Sequence, residues 1–250
     1  MPGSFAAFAA LHVPGEPVVL YNVWDAGSAR AVAAAGAKAL ATGSHPVADA
    51  NGWADGEQVP IAFALANAER VVRSVQLPVS IDFEGAYSVD PGANGANVAR
   101  LAATGAVGCN FEDQIIGGEG LHPVKLQAQR IASMRKAVGE AFFINARTDL
   151  FLKHKPESHD AALLDEGIER ALAFADAGAS GFFAPRLGDL TLVEKLCKAS
   201  PIPVNAIAFP GGPTRAQWAS AGIARISHGP FPHKALMKQL EDSARLAIAG

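Results

Sequence analysis

The chain has 250 residues, half of them hydrophobic and 18% charged, with a formal net charge of −3. That balance suits one compact domain over residues 1–250 and excludes a basic footprint for nucleic acid or an anionic membrane surface. Two distant cysteines, Cys109 and Cys197, form no disulfide framework or zinc spacing, and MPGSFAAFAALH has neither a basic n-region nor a long apolar run, so a cytoplasmic location is expected.

One theme repeats along the chain. A short apolar run rich in β-branched residues ends in polar or glycine residues, and an alanine-rich amphipathic stretch follows. In chain order, strands are predicted at 18–21, 39–42, 79–82 and 107–112, each followed by a helix, at 27–35, 60–75, 93–103 and 124–138. The second half continues with strands at 142–147, 181–184, 204–208 and 224–227 and helices at 159–177, 189–199, 214–221 and 232–247. In AGAKAL, TGAVGC, AGASGFF and AGIARIS a glycine closes a helix and a strand begins at once. Eight strand–helix units predict a (β/α)8 TIM barrel. A doubly wound open sheet also alternates in this way, but the count of eight and the lack of GxGxxG after the first strand favour the barrel. Two long polar, glycine-containing stretches, 43–59 and 114–123, fall on the C-terminal face of the sheet, where long loops carry function.

Charged residues follow the apolar runs at that same face. PVSI leads into Asp82 and Glu84, GAVGCNF into Glu112 and Asp113, and AFFINA into Arg147. Alternation along an extended segment would put Asp82 and Glu84 on one face. Gathering such charges is costly without a compensating ion or ligand. The acids suit a hard cation such as Mg2+, which takes oxygen ligands and retains waters; pairing with arginines or capping of the next helices is the other reading. Arg147 is either the anchor of a substrate anion, through its planar fork, or a partner of these acids, with Asp149 placed to orient it. Gly43 and Ser44 would present backbone amides to a carboxylate or an enolate oxygen, although turn chemistry explains them equally. His45 is a proton carrier or a polar loop residue. Cys109 and Cys197 read as small buried hydrophobes. No lysine ends a predicted strand, which argues against a Schiff-base aldolase. The turns after the seventh and eighth strands, at 209–212 and 228–230, lie where barrels often bind phosphate, but ordinary turns are the favoured reading.

The segments YNVWDAGSARAVAAAGAKALATGS, GWADGE, PVSIDFEGAYS, GAVGCNFEDQ, FINARTDLF, ALAFADAGASGFFAP, PVNAIAFPGGP and AGIARISHGP together resemble the isocitrate lyase/phosphoenolpyruvate mutase superfamily, in order, over nearly the whole chain. The resemblance implies a (β/α)8 barrel, often with its last helix exchanged between the subunits of a homodimer or homotetramer. It implies Mg2+, with Mn2+ as a substitute, and a small 2-oxo acid as the ligand. It makes Asp82, Glu84 and Glu112 the metal-holding acids. Arg147 matches the substrate arginine, Gly43, Ser44 and His45 the loop that grips the substrate carboxylate, and Asp55 an acid near the substrate. Asn205, in PVNAIAF, is taken with the substrate-binding residues. Two departures narrow the activity. The loop 114–123 carries no Lys-Lys/Arg-Cys-Gly-His motif, and Gln114 follows Asp113 where mutases have another signature. The implied enzyme is a Mg2+-dependent lyase that cleaves a C–C bond of an oxaloacetate-like 2-oxo or 2-hydroxy acid through a pyruvate enolate, with His45, His122 or water as proton donor. The alternatives are a C–C or C–P hydrolase of an acyl- or phosphonopyruvate and a 2-oxo acid binding protein without catalysis.

Overall fold

The structure is a computed structural model that describes residues 4–250. Its eight strands are β1 Val18–Leu20, β2 Leu40–Ala41, β3 Val79–Asp82, β4 Gly108–Glu112, β5 Phe143–Arg147, β6 Gly181–Phe183, β7 Val204–Ile207 and β8 Arg225–Ser227. All neighbouring pairs run parallel, and β1 pairs with β8. Beyond the end of β1, Val23 bridges Thr42, with Val23 N–H donating to Ala41 O at 2.9 Å, and this contact brings the first and second strands together. The result is the expected (β/α)8 barrel.

The strand-following helices are α2 Ala26–Ala34, α4 Ile61–Arg73, α5 Pro91–Ala102, α6 Val124–Val138, α8 Ala161–Asp176, α9 Leu190–Ala199, α10 Arg215–Ser220 and α11 Phe231–Ala249. Side-chain caps start many of them: Asp25 and Thr214 form capping boxes, and Asp90, Asp160 and Asp189 each accept a first-turn N–H. The expected glycine stops are real: Gly178 and Gly222 sit at φ +96° and +90°, and the next residues, Ala179 and Ile223, donate back five residues to Phe174 and Trp218.

Three short helices lie outside the pattern read from sequence: α1 Phe5–Ala10, α3 Ser44–Asp49 and α7 Leu150–Lys153. The stretch 43–59 is therefore not all loop. α1 closes the N-terminal mouth of the barrel, where Phe8 packs with Val18, Leu20, Ala39, Ala41, Val107 and Phe143. Above this plug the interior is polar: Asn145 Nδ2 donates to Asn110 Oδ1 at 2.8 Å and to Asn205 Oδ1 at 3.0 Å, and Arg225 Nη2 donates to Asn110 Oδ1 at 3.1 Å. Barrel interiors are usually filled by branched apolar residues, so this layer of polar side chains marks the floor of a site. α11 departs from the barrel after His233; every residue from Lys234 onward is exposed, including Leu240, Leu246 and Ile248. Among the described residues no helix is long and apolar enough to cross a membrane.

Candidate active site

The C-terminal ends of the strands surround a cavity of about 230 Å³. Gly43, Ser44, His45, Asp55, Asp82 and Arg147 line it, so six residues read from sequence meet there. Asp82 ends β3. Its backbone N–H donates to Thr42 Oγ1 at 2.9 Å, and its Oδ2 accepts the Ser44 N–H at 3.0 Å. Its Oδ1 is buried without a partner. The Ser44 amide, expected to grip a substrate, thus holds Asp82 instead. Gly43 N–H is likewise engaged, with Val23 O at 3.2 Å.

Glu84 does not line this cavity; it lines a small pocket that Ser44 and Asp82 also border, and it arrives there by a different route from the one alternation suggests. β3 stops at Asp82, and Glu84 lies past it with φ +51°. Its carboxylate accepts the N–H of Gly56 at 3.1 Å and of Glu57 at 2.6 Å. Glu57 returns the contact, accepting the Tyr87 N–H at 2.6 Å. Glu57, Ala86 and Tyr87 all hold positive φ, a strain that the reciprocal clasp sustains. The clasp ties the loop carrying Asp55 to the loop after β3. Glu57 was missed in the sequence, where nothing sets it apart from any exposed loop acid.

Glu112 and Arg147 are register partners on β4 and β5, which explains their 2.7 Å ion pair. Asp149 takes Arg147 Nε and Nη2 at 2.5 and 2.9 Å, as the spacing suggested. The reading of Arg147 as a partner of these acids is therefore the one seen here. A guanidinium has five N–H donors; three are engaged here, leaving one on Nη1 and one on Nη2 for an anion. Asp113 turns away from the site, accepting Arg170 Nη1 at 3.0 Å and the Asp149 N–H at 2.9 Å. Asn205 lies in the polar floor and His122 in a separate pocket beside Arg130; neither lines the cavity.

Burial, with the neighbouring acids, pushes Glu84 up to about 9. Burial raises Glu112 to about 8 against the pull of Arg147, and it raises Asp82 against Arg147 and the Ser44 N–H. Burial also lifts Cys109 well up and Cys197 to about 12, which leaves both thiols protonated and unsuited as nucleophiles. Among the described residues no three His, Cys, Asp or Glu side chains form a ready cage for a metal. The residues nevertheless fit Mg2+: the free, buried Asp82 Oδ1 is a hard oxygen donor, and Mg2+ needs only one or two carboxylates with waters.

The far wall is apolar. Phe183, Pro185, Ile207, Phe209, Phe231 and Leu152 face the acids, with Arg186 at the rim. Sequence reasoning missed these, because apolar residues at strand ends look like core.

Residues 8–248 match the phosphoenolpyruvate phosphomutase family. The chain belongs to that family. It is an enzyme of the isocitrate lyase/phosphoenolpyruvate mutase superfamily. An uncharacterized protein of Mycobacterium tuberculosis is 34% identical over 244 residues, covering 98% of this chain and 90% of that one. The crystal structure of a candidate phosphonomutase from Burkholderia cenocepacia J2315 superposes with a TM-score of 0.94 at 46% identity, covering 98% of each chain. Phosphonopyruvate hydrolase in complex with oxalate and Mg2+ shares the fold, with a TM-score of 0.86 at 17% identity, covering 99% of this chain and 88% of that one. For this family member, the fold is thus shared with the family.

Proposed function

We propose that the protein is a Mg2+-dependent carbon–carbon lyase that releases pyruvate enolate from a small 2-oxo acid, with oxaloacetate decarboxylation as the simplest case. The observation that carries this reading is the buried, unpartnered Asp82 Oδ1 beside an arginine with two free N–H donors. Asp82 would hold the cation, with Glu84 and Glu112 supporting it directly or through water; Mn2+ would substitute. The bound cation would supply Lewis-acid stabilisation of the enolate oxygen. Arg147 binds the substrate carboxylate through its free Nη1 and Nη2 hydrogens. Of the loop amides, His45 N–H is the one without an acceptor among the described residues and completes the anion site. His45 lines the cavity and serves as the proton carrier in this reading. Asp55, beside Glu84, orients the substrate from the clasped loop. Hydrolysis of an acyl- or phosphonopyruvate is the second reading, favoured by the likeness in fold to phosphonopyruvate hydrolase.

A thermal-shift screen of 2-oxo and 2-hydroxy acids of three to six carbons, with and without Mg2+, tests the proposal. A rise in Tm that needs both acid and cation, followed by pyruvate and CO2 as products, is expected. No cation-dependent rise for any acid would sink the reading, and acetate plus oxalate, or phosphate plus pyruvate, would shift it to hydrolysis. We also propose that a second copy of the chain covers the exposed Leu240, Leu246 and Ile248 of α11; a monomer mass by light scattering would refute this.

A further inference from the structure

The lyase reading names the head of the substrate and leaves its tail open, and the wall facing the acids bears on that tail. Phe183 ends β6 and is 4% exposed; its ring lies 6.0 Å from the Arg147 guanidinium carbon. The wall therefore begins where the anion anchor ends. Ile207 ends β7, Phe209 follows it, and Phe231 opens α11. All three are partly exposed, and all line the cavity.

The backbone is shaped around these side chains. A Cβ on Gly212 would stand 2.7 Å from the Phe209 ring, and one on Gly229 would stand 2.6 Å from Ile207 Cδ1. Small residues at these two turns leave the Phe209 and Ile207 side chains room in the wall. This gives the turns after β7 and β8 a role that their glycines alone did not reveal.

Charge on this side is sparse. Arg147 and Arg186 are the two lysine or arginine residues lining the cavity. Arg147 sits at the head, and Arg186 is exposed at the rim. A second carboxylate lying against Phe183, Ile207 and Phe209 would lose water without gaining a partner, which is costly. An alkyl or aryl group there would gain from burial. Ligand sites commonly combine such an apolar wall with a few polar groups that fix orientation.

We propose that the substrate carries an apolar substituent on the fragment that leaves pyruvate, seated against Phe183, Ile207, Phe209 and Phe231. This rests on the pyruvate-enolate reading above. A 4-hydroxy-2-oxo acid with an alkyl or aryl group on C4 meets both requirements. Its C4 hydroxyl gives a proton to a base, for which His45 is placed. The C3–C4 bond breaks, its electron pair forms the enolate, and an aldehyde bearing the apolar group departs. The enolate then takes a proton at C3 to become pyruvate. No oxidant, reductant or further reactant is needed.

The test compares three ligands that share one head, measured by calorimetry with Mg2+: oxamate, N-isobutyloxamate and N-oxalylglycine. N-isobutyloxamate is expected to bind about tenfold more tightly than oxamate, and N-oxalylglycine more weakly than N-isobutyloxamate. Phe209→Ser and, as a milder second variant, Ile207→Ala are each expected to lower the ratio of isobutyloxamate to oxamate affinity. Equal binding of oxamate and N-isobutyloxamate, or a preference for N-oxalylglycine, overturns the proposal while leaving the head site intact. Binding of none of the three with Mg2+ or Mn2+ overturns the head site and the proposal with it. Release of pyruvate from 4-hydroxy-2-oxo-4-phenylbutanoate faster than from oxaloacetate is the matching catalytic result; the reverse order counts against the apolar tail.

Discussion

At the N-terminal mouth of the barrel, Phe8 is fully buried, and the His12 ring stacks on Phe143 with centroids 4.3 Å apart. At the C-terminal mouth, Glu112 pairs with Arg147, while Asp82 is held by the Ser44 N–H and Glu84 by the N–H groups of Gly56 and Glu57. Each mouth contains a buried polar atom without a partner, His12 Nε2 below and Asp82 Oδ1 above. The two are handled differently. Burial, with the charge of Arg225 as a second cause, pushes His12 down to about 3, so the lower mouth stays neutral and needs no ligand. The upper mouth keeps its arginine and several acids together, an arrangement that a bound cation and anion would complete. One end is closed by packing, and the other is where the proposed cation and anion would sit.

Two truncations should separate these roles. Arg147→Ala leaves Glu112 and Asp149 buried without their cation and is expected to cost about 3–5 kcal/mol of stability. Phe8→Ala opens a cavity in the plug and is expected to cost a similar amount, about 3–5 kcal/mol. Urea unfolding of both variants measures this. Calorimetry on the folded proteins then divides them: Mg2+-dependent oxalate binding should be lost in Arg147→Ala and kept in Phe8→Ala. Loss in both would mean that the plug and the site form one unit.

The difference between the mouths also sets what could be read in the sequence. The eight strands were legible because each is a short apolar run bounded by a glycine stop or a cap, as at Gly178 and Gly222. Asp82, Glu112 and Arg147 were legible because a charge directly after such a run is conspicuous. Glu84 was found by the wrong geometry, since a left-handed turn rather than strand alternation carries it in. The clasp by Glu57 could not be read, because it depends on two loops meeting in space. Phe8 and Phe209 were invisible as plug and wall for one shared reason: a phenylalanine in sequence does not show which cavity it faces.

The lower mouth predicts an acid sensitivity that the upper one does not. His12 titrates near 6.5 when free and is pushed down to about 3 in the fold. Between those values the unfolded chain binds more protons than the folded one, so stability falls as pH falls. The slope approaches about 1.4 kcal/mol per pH unit. His12→Asn removes the titrating group and should flatten the decline in unfolding free energy between pH 6 and pH 4. An unchanged acid limb would assign the loss to other groups.

Arg225 lies between the two mouths and tests whether they are electrically separate. It is buried in the polar floor, with Nη2 on Asn110 and with Nε and Nη1 unpartnered. Its charge helps to depress His12 below, while Asp82 above favours its own charged form. Arg225→Met fills the volume without the charge. Removing a buried cation in favour of an apolar chain is often neutral for stability, so the informative reading is the His12 titration, followed by NMR of the ring proton. An upward move is expected, smaller than the total depression, because burial is the first cause and remains in place. A His12 midpoint that stays put would make the lower mouth a matter of burial alone. A midpoint that moves, together with weaker Mg2+-dependent oxalate binding, would make Arg225 the link through which occupancy above is felt below.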